Sequence, residues 1–423
     1  MPGRSEVSRF SWTLIDQGMV SVGSFFVNIA LARMLQPREY GVFAVILATL
    51  LLLQIVNAAA VLYPATIRVA SDDGGGRDRL IAATLLFVAV TTLVMSLLAA
   101  AGMSAFGRAR LIPEVVGWFS AWQLQEALRR LLFAEFRYRE AMVGDAISYL
   151  GQAIGVAALA LSGSLTLPAV FIVLGATSLI GAAVQFVQVG VPFHAPRHIV
   201  ALARDYWKLG SWSLAGSIAA ALRFQGLFWL VGMTSGAADV AVLQAVLNVA
   251  NVVNPVVTGI CNLVPQTVSR ALRGGLGAAW EAAKPYAIWG LAPTAGYAAL
   301  AFVAPELLLR ILYGASSPYA GEGLAVRIFA AVIVLNYAGE VAAAFLHGIG
   351  EPRLAWFMNS LGLAAVLCTF AALHPSLGWM AAVFAAAVGQ IVRLLLFYPA
   401  VTRAASDREG LPWSPFRLPR PRA

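Results

Sequence analysis

About twelve stretches of some twenty mostly apolar residues, separated by short polar breaks, set the pattern of this chain. They run over 11–34, 41–63, 80–103, 113–134, 142–162, 168–190, 209–232, 237–263, 285–305, 325–347, 354–373 and 377–401. That length is what a helix needs to cross the hydrocarbon core of a bilayer. In lipid, backbone polar groups must be bonded within their own segment, so each stretch predicts an α-helix. A membrane barrel would need ten-residue alternating strands, and the pattern lacks them. The fourth stretch is the least regular, because it carries Glu126, Arg129 and Arg130.

The two halves resemble each other. Ser11-Trp12 opens the first stretch and Ser211-Trp212 opens the seventh. The second ends in Leu62-x-Pro64-x-Thr66-Ile67-x-x-Ala70, and the eighth in Leu263-x-Pro265-x-Thr267-Val268-x-x-Ala271. Glu126 and Glu340 stand in comparable places. The expected fold class is therefore an all-α integral membrane protein of about 12 transmembrane helices, in two pseudo-symmetric six-helix lobes around a central cavity. Parallel repeats of this kind are a transporter architecture. The expected organisation is an N-terminal lobe over 1–193, an amphipathic linker over 194–208, a C-terminal lobe over 209–403 and a disordered cytoplasmic tail over 404–423.

Composition agrees with a membrane protein: of 423 residues, 60% are hydrophobic and 12% charged, and mean hydropathy is +0.79. Soluble domains carry about twice that charge. The net charge of +9 reads as topology rather than nucleic-acid binding, because Lys and Arg collect in alternate loops. With the N-terminus inside, 21 fall on the inner side and 6 on the outer, with Arg223 and Arg393 left within spans. The positive-inside bias then places both termini in the cytoplasm and the chain, multi-pass, in the cell inner membrane. Arg4, Arg9, an apolar stretch and Ala30-Leu31-Ala32 imitate a secretory signal, but Asp16 and Gln17 interrupt it, and a retained first helix is expected. Trp12, Trp118, Trp122, Trp207, Trp212, Trp356 and Trp379 lie near span ends, as an interfacial belt would. Cys261 and Cys368 imply neither a disulfide framework nor a metal site.

The run SRFSWTLIDQGMVSVGSFFVNIALARMLQPREYGVFAVILATLLLLQIV at 8–56, above all ALARMLQPREYGVFA at 30–44, resembles the opening of bacterial polysaccharide and O-antigen flippases. These belong to the multidrug/oligosaccharidyl-lipid/polysaccharide (MOP) exporter superfamily. The basic stretch FRYRE at 136–140 fits the same outline. The resemblance implies a two-lobe exporter that alternates between inward- and outward-open states. Its substrate would be an oligosaccharide on undecaprenyl pyrophosphate, its coupling a proton or sodium gradient, and its cofactors none. The partners implied are membrane lipids and the polymerase and assembly proteins of polysaccharide export, with no nucleic acid.

On that substrate, the polar residues inside spans become candidates. An ionisable group there costs about 2.5–3.5 kcal/mol on insertion scales and faces protein or water. Arg223, with Gln225 nearby, is the first choice for a pyrophosphate, since a guanidinium stays charged and offers several donors; a structural pair with an acid is the other reading. Gln17, Ser21, Ser24 and Asn28 share one face of the first helix, and Gln244, Asn248, Asn251, Thr258 and Asn262 one face of the eighth. With Asn57 they form the uncharged part of the substrate set, suited to sugar hydroxyls; interhelical hydrogen bonding is the alternative. Asp16, Glu126, Asp145 and Glu340 are candidates for ion coupling, or else neutralise arginines, as the spacing of Glu126 to Arg129 and Arg130 allows. Arg33, Arg129, Arg130, Arg137 and Arg393 add positive potential at the mouths.

Three rivals remain open. A multidrug cation antiporter of the same superfamily would want a more acidic or aromatic site. A membrane enzyme would want a substantial external loop, and 104–112 and 306–324 are modest. A scaffold in an assembly complex is the third. Gly74-Gly75-Gly76 lacks the lysine and helix context of a nucleotide loop, so direct ATP use is not expected.

Overall fold

The structure, a computed structural model, describes the backbone of residues 4–71, 76–191 and 198–409, and side chains within 16–71, 76–191 and 198–404. Every regular element among them is helical. The long helices are α1 (Arg4–Met34), α2 (Pro37–Ala70), α3 (Arg77–Ala105), α4 (Ile112–Ala134), α5 (Tyr138–Leu161) and α6 (Leu167–Val189). They continue as α7 (Ile199–Thr234), α8 (Ala237–Gly274), α9 (Leu276–Val303), α10 (Gly323–Gly348), α11 (Pro352–Leu377), α12 (Ala381–Leu395) and α13 (Phe397–Glu409). Nine stretches among the described residues are long and apolar enough to cross a membrane. One of them, Pro352–Ala404, holds both α11 and α12; with α1 and α4, whose polar groups interrupt the apolar pattern, twelve helices among the described residues match the twelve predicted spans. Proline in the first turn starts several of them, where a missing N–H costs nothing.

The chain divides into two compact units, Met1–Leu214 and Ala215–Ala423. The boundary falls inside α7. Residues 199–208, expected to belong to a separate linker helix, are the first turns of α7 itself; no proline interrupts 199–234, so the backbone bonds run on. These turns pack on unit 1. Arg68 holds both carboxylate oxygens of Asp205 at 2.7 and 2.6 Å, and the Tyr206 and Thr84 hydroxyls lie 3.0 Å apart. At the other end, residues 404–409, expected to begin a disordered tail, are helical within α13. That helix is anchored by Phe397, tilted against Trp280 and edge-on to Phe345, and by buried Val401 and Ala404. Residues 1–3, 72–75, 192–197 and 410–423, and the side chains of Ser11 and Trp12, lie outside the described residues.

Apolar side chains turn outward as well as inward, as a lipid solvent requires. Leu93, Leu97, Ile154 and Val187 are more than half exposed. Trp207 and Trp212 are exposed too, but Trp118 is buried and stacks between Trp122 and Phe171 in the core of unit 1 rather than in a surface belt.

In the repeated motif both threonines make the bond to the carbonyl four residues back that Thr49, Thr84 and Thr177 also make in their helices. Thr66 Oγ1 donates to Leu62 O at 2.5 Å, and Thr267 Oγ1 to Leu263 O at 3.0 Å. Both helices are also irregular just upstream: α2 widens into a π turn over Asn57–Leu62, and α8 tightens into a 3₁₀ turn over Asn251–Val253. A second π turn, Ala146–Leu150, lies in α5. Such turns cluster at functional positions.

The FRYRE stretch closes one end of unit 1. Arg137 donates to the backbone oxygen of Gln188 at 2.5 Å and Arg77 to that of Val189 at 2.8 Å, so two cations cap the last carbonyls of α6. Glu135 bridges both arginines. Burial pushes its carboxyl up, but the Arg77 and Arg137 guanidiniums more than offset this and hold it below the usual carboxylate range.

Candidate functional site

Each unit buries one cluster of ionisable groups, and the formal charges of the two clusters have opposite signs. In unit 1, α4 carries Glu126, Arg129 and Arg130 on successive turns, and α1 and α5 bring Asp16 and Asp145 to them. Arg129 Nη2 lies 2.7 Å from Asp16, its Nε 2.5 Å from Asp145 and its Nη1 3.2 Å from Glu126. Arg130 Nε donates to Glu126 at 2.7 Å from a half-exposed position. Gln125 and Gln185 donate to Asp145 Oδ1 at 3.2 and 3.1 Å. Three carboxylates thus share one buried and one half-exposed guanidinium. Asp16 Oδ1, Gln125 Oε1 and Gln185 Oε1 are buried without a hydrogen-bond partner among the described residues. The surplus is negative and rich in acceptors, which suits a proton or a small cation. No group of three or more His, Cys, Asp and Glu among the described residues has the geometry of a metal site.

In unit 2 the balance reverses. Arg223 of α7 donates through Nη1 to Gln390 Oε1 at 2.9 Å and lies 3.5 Å from Glu340 Oε1 through Nη2. Arg393 of α12 reaches the same Glu340 oxygen at 2.8 Å. Gln390 Nε2 donates to Asn336 Oδ1 at 2.8 Å. Two guanidiniums, 3% and 1% exposed, therefore stand behind one carboxylate that is 34% exposed. Glu340, not Arg223, is the group nearest open space. Gln225, two residues beyond Arg223, is half-buried on a different side of the helix. Arg129 and Arg393, expected to charge the mouths, are both buried instead. Gln390, Asn336 and Gln185 were not singled out by the sequence, although Gln390 stands one helical turn from Arg393 inside an apolar span.

The uncharged candidates separate into two groups. Gln244 and Asn248 are buried: Gln244 Nε2 donates to Asn248 Oδ1 at 2.7 Å, and Asn248 Nδ2 to the Tyr313 hydroxyl at 3.3 Å. Asn57 is also buried, donating to Thr92 at 3.0 Å and Gln123 at 2.8 Å and accepting from Thr91. Asn251, Thr258 and Asn262 are exposed, and Asn254, Gln266 and Ser269 extend their row along α8. An exposed polar row on a spanning helix meets water, since lipid offers it no partner. Gln17, Ser21, Ser24 and Asn28 are half-buried on α1, with Asn28 Nδ2 donating to Ser24 O at 2.9 Å.

No protein-family model and no curated protein sequence matches the chain. Solved structures do. A multidrug resistance MATE family transporter of the MOP superfamily, in its inward-facing conformation, superimposes with a TM-score of 0.76 at 14% identity, over 92% of this chain and 96% of that one. A transporter of the same description in its outward-facing conformation gives 0.65 at 13% identity, over 94% and 96%. The eukaryotic MATE transporter AtDTX14 gives 0.69 at 13% identity, over 94% and 95%. Identity this low speaks for the fold alone, and on that evidence the chain has the twelve-helix fold of the MATE transporters of the MOP superfamily.

Proposed function

We propose that this protein is a flippase: it moves undecaprenyl-pyrophosphate-linked oligosaccharide across the bacterial inner membrane by alternating access, for polysaccharide export, and is not an enzyme. The observation that carries the reading is the surplus positive charge in unit 2. Two buried guanidiniums against one carboxylate have the wrong sign for an organic cation and the right one for a pyrophosphate. The exposed row of amides and hydroxyls on α8 suits sugar hydroxyls, which need donors and acceptors without net charge. The resemblance of residues 8–56 to polysaccharide flippases and the fold shared with transporters support the same reading. The distribution of Lys and Arg supports cytoplasmic termini.

Coupling to a proton or sodium gradient belongs to unit 1 in this reading. Asp16, Glu126 and Asp145 outnumber the cations that face them, and a carboxylate in a dry site exchanges a proton as its surroundings change. The same acidic cluster is what favours a second reading, a multidrug cation antiporter, which the fold also accommodates. The test is purified protein in liposomes holding a fluorescent undecaprenyl pyrophosphate oligosaccharide, followed with and without an imposed gradient, beside parallel vesicles loaded with an organic cation dye. Gradient-dependent movement of the lipid-linked sugar supports the flippase; movement of the dye alone replaces it with the antiporter.

A further inference from the structure

The side of Arg393 that remains open has a definite chemical shape. Its Nη1 makes both of its bonds, to Glu340 Oε1 at 2.8 Å and to Gln390 Oε1 at 3.4 Å. Its Nε and Nη2 are buried without a hydrogen-bond partner among the described residues, and so is Nε of Arg223. Nε and Nη2 lie side by side on one edge of a guanidinium and donate in parallel, the arrangement that grips a carboxylate or phosphate with two bonds. This protein uses that edge elsewhere: Arg68 holds Asp205 through Nε and Nη2 at 2.7 and 2.6 Å. On Arg393 the same edge has no acid.

The charge around it points the same way. Among the described residues the titratable groups around Glu340 are Arg223 of α7, Arg393 of α12, Cys261 of α8 and His347 on its own helix, and none of them is a second carboxylate to balance the pair. Gly339 and Gly362 let the two arginines pack this closely: a Cβ on the first would stand 2.9 Å from Arg393 Nη1, and on the second 3.3 Å from Arg223 Cδ. Two hydrogen bonds from Arg223, by way of Gln390, Asn336 lines a cavity of ≈ 30 Å³ with Phe224, Asn251 and Asn254. That is enough for at least one water-sized species.

We propose that Arg393 and Arg223 form a binding site for a phosphate-type oxyanion, and that Glu340 is its built-in competitor. An oxyanion on the Nε–Nη2 edge of Arg393 supplies the second negative charge, while Glu340 draws on the same two cations from the exposed side. Two sources share this chemistry, free inorganic phosphate and the pyrophosphate of a lipid carrier. The second source rests on the transport reading above; the first does not.

Calorimetric titration of the full-length protein in detergent tests this, with inorganic phosphate and with undecaprenyl pyrophosphate in mixed micelles. Arg393→Lys keeps the charge and loses the fork, and binds about tenfold more weakly, the equivalent of one charge-assisted hydrogen bond. Glu340→Gln removes the competitor and binds about tenfold more tightly, a gain that misfolding cannot imitate. Binding of phosphate assigns the free ion, and binding of the lipid pyrophosphate alone assigns the headgroup; either supports the site. Binding of neither, or a Glu340→Gln affinity equal to or below wild type, overturns it. If phosphate binds as expected but no lipid-linked sugar moves in liposomes, the transport reading falls and the site stands. If the sugar moves while both variants bind like wild type, the site falls and the transport reading stands.

Discussion

Arg129 reaches from α4 to Asp16 of α1, 113 residues earlier in the chain, and meets its carboxylate at 2.7 Å. The contact fastens the first helix through a buried charge, so its two ends respond differently to mutation. Arg129→Gln leaves Asp16, Glu126 and Asp145 facing each other inside the unit, and is expected to cost about 3–5 kcal/mol or the fold itself. Asp16→Asn brings the cluster closer to neutrality and is expected to cost much less. Thermal melting in detergent, read by size exclusion, compares the two; equal losses would contradict this account of the cluster.

Removing Arg223 should behave in the opposite way. Arg223→Ala leaves Glu340 with Arg393 alone, one charge against one, at 2.8 Å. Folded protein is expected at wild-type yield, with transport in liposomes reduced at least tenfold. Wild-type transport by this variant would remove Arg223 from the machinery.

The two polar groups of α8 should also separate. Asn248→Leu strands the groups that Asn248 now satisfies, including Gln244, and is expected to lower stability by about 1–3 kcal/mol. Thr258→Leu and Asn262→Leu alter an exposed row and should leave melting unchanged while slowing transport. The ratio of activity to melting temperature across the three variants checks this.

Glu135 gives unit 1 a pH dependence at the end where α6 stops. Its carboxyl is held below the usual carboxylate range in the folded protein, so its contribution is complete above the unfolded pKa and disappears as pH falls through the lower folded one. Glu135→Gln is expected to cost about 1–2 kcal/mol at neutral pH, and wild type and variant should converge in acid. Melting curves between neutral and strongly acidic pH measure the convergence.

The spans were legible in the sequence because twenty apolar residues admit one solution in lipid. The junction was not legible. The sequence placed a linker before residue 209, but neither Gly210 nor the charges of 204–208 stop a helix once its backbone bonds have begun to propagate. Site chemistry was half legible. Residue type identified Arg223 and Glu340 as groups that need partners inside a membrane. Their convergence, across 117 residues, and that of Arg223 with Gln390, across 167, depends on helix packing that no local pattern encodes. Arg393 was expected to charge a mouth, and the turn that sets it beside Gln390 was the signal that it faces inward.

The surplus guanidinium of unit 2 gives the protein an electrical property as well as a chemical one. A charge held in the bilayer experiences the resting voltage, and carrying it through the full drop takes about 2.3 kcal/mol for each 100 mV. If the working cycle shifts α7 or α12 along the membrane normal by even a fraction of that span, its rate acquires a voltage dependence that swapping Arg393 for an uncharged side chain would flatten.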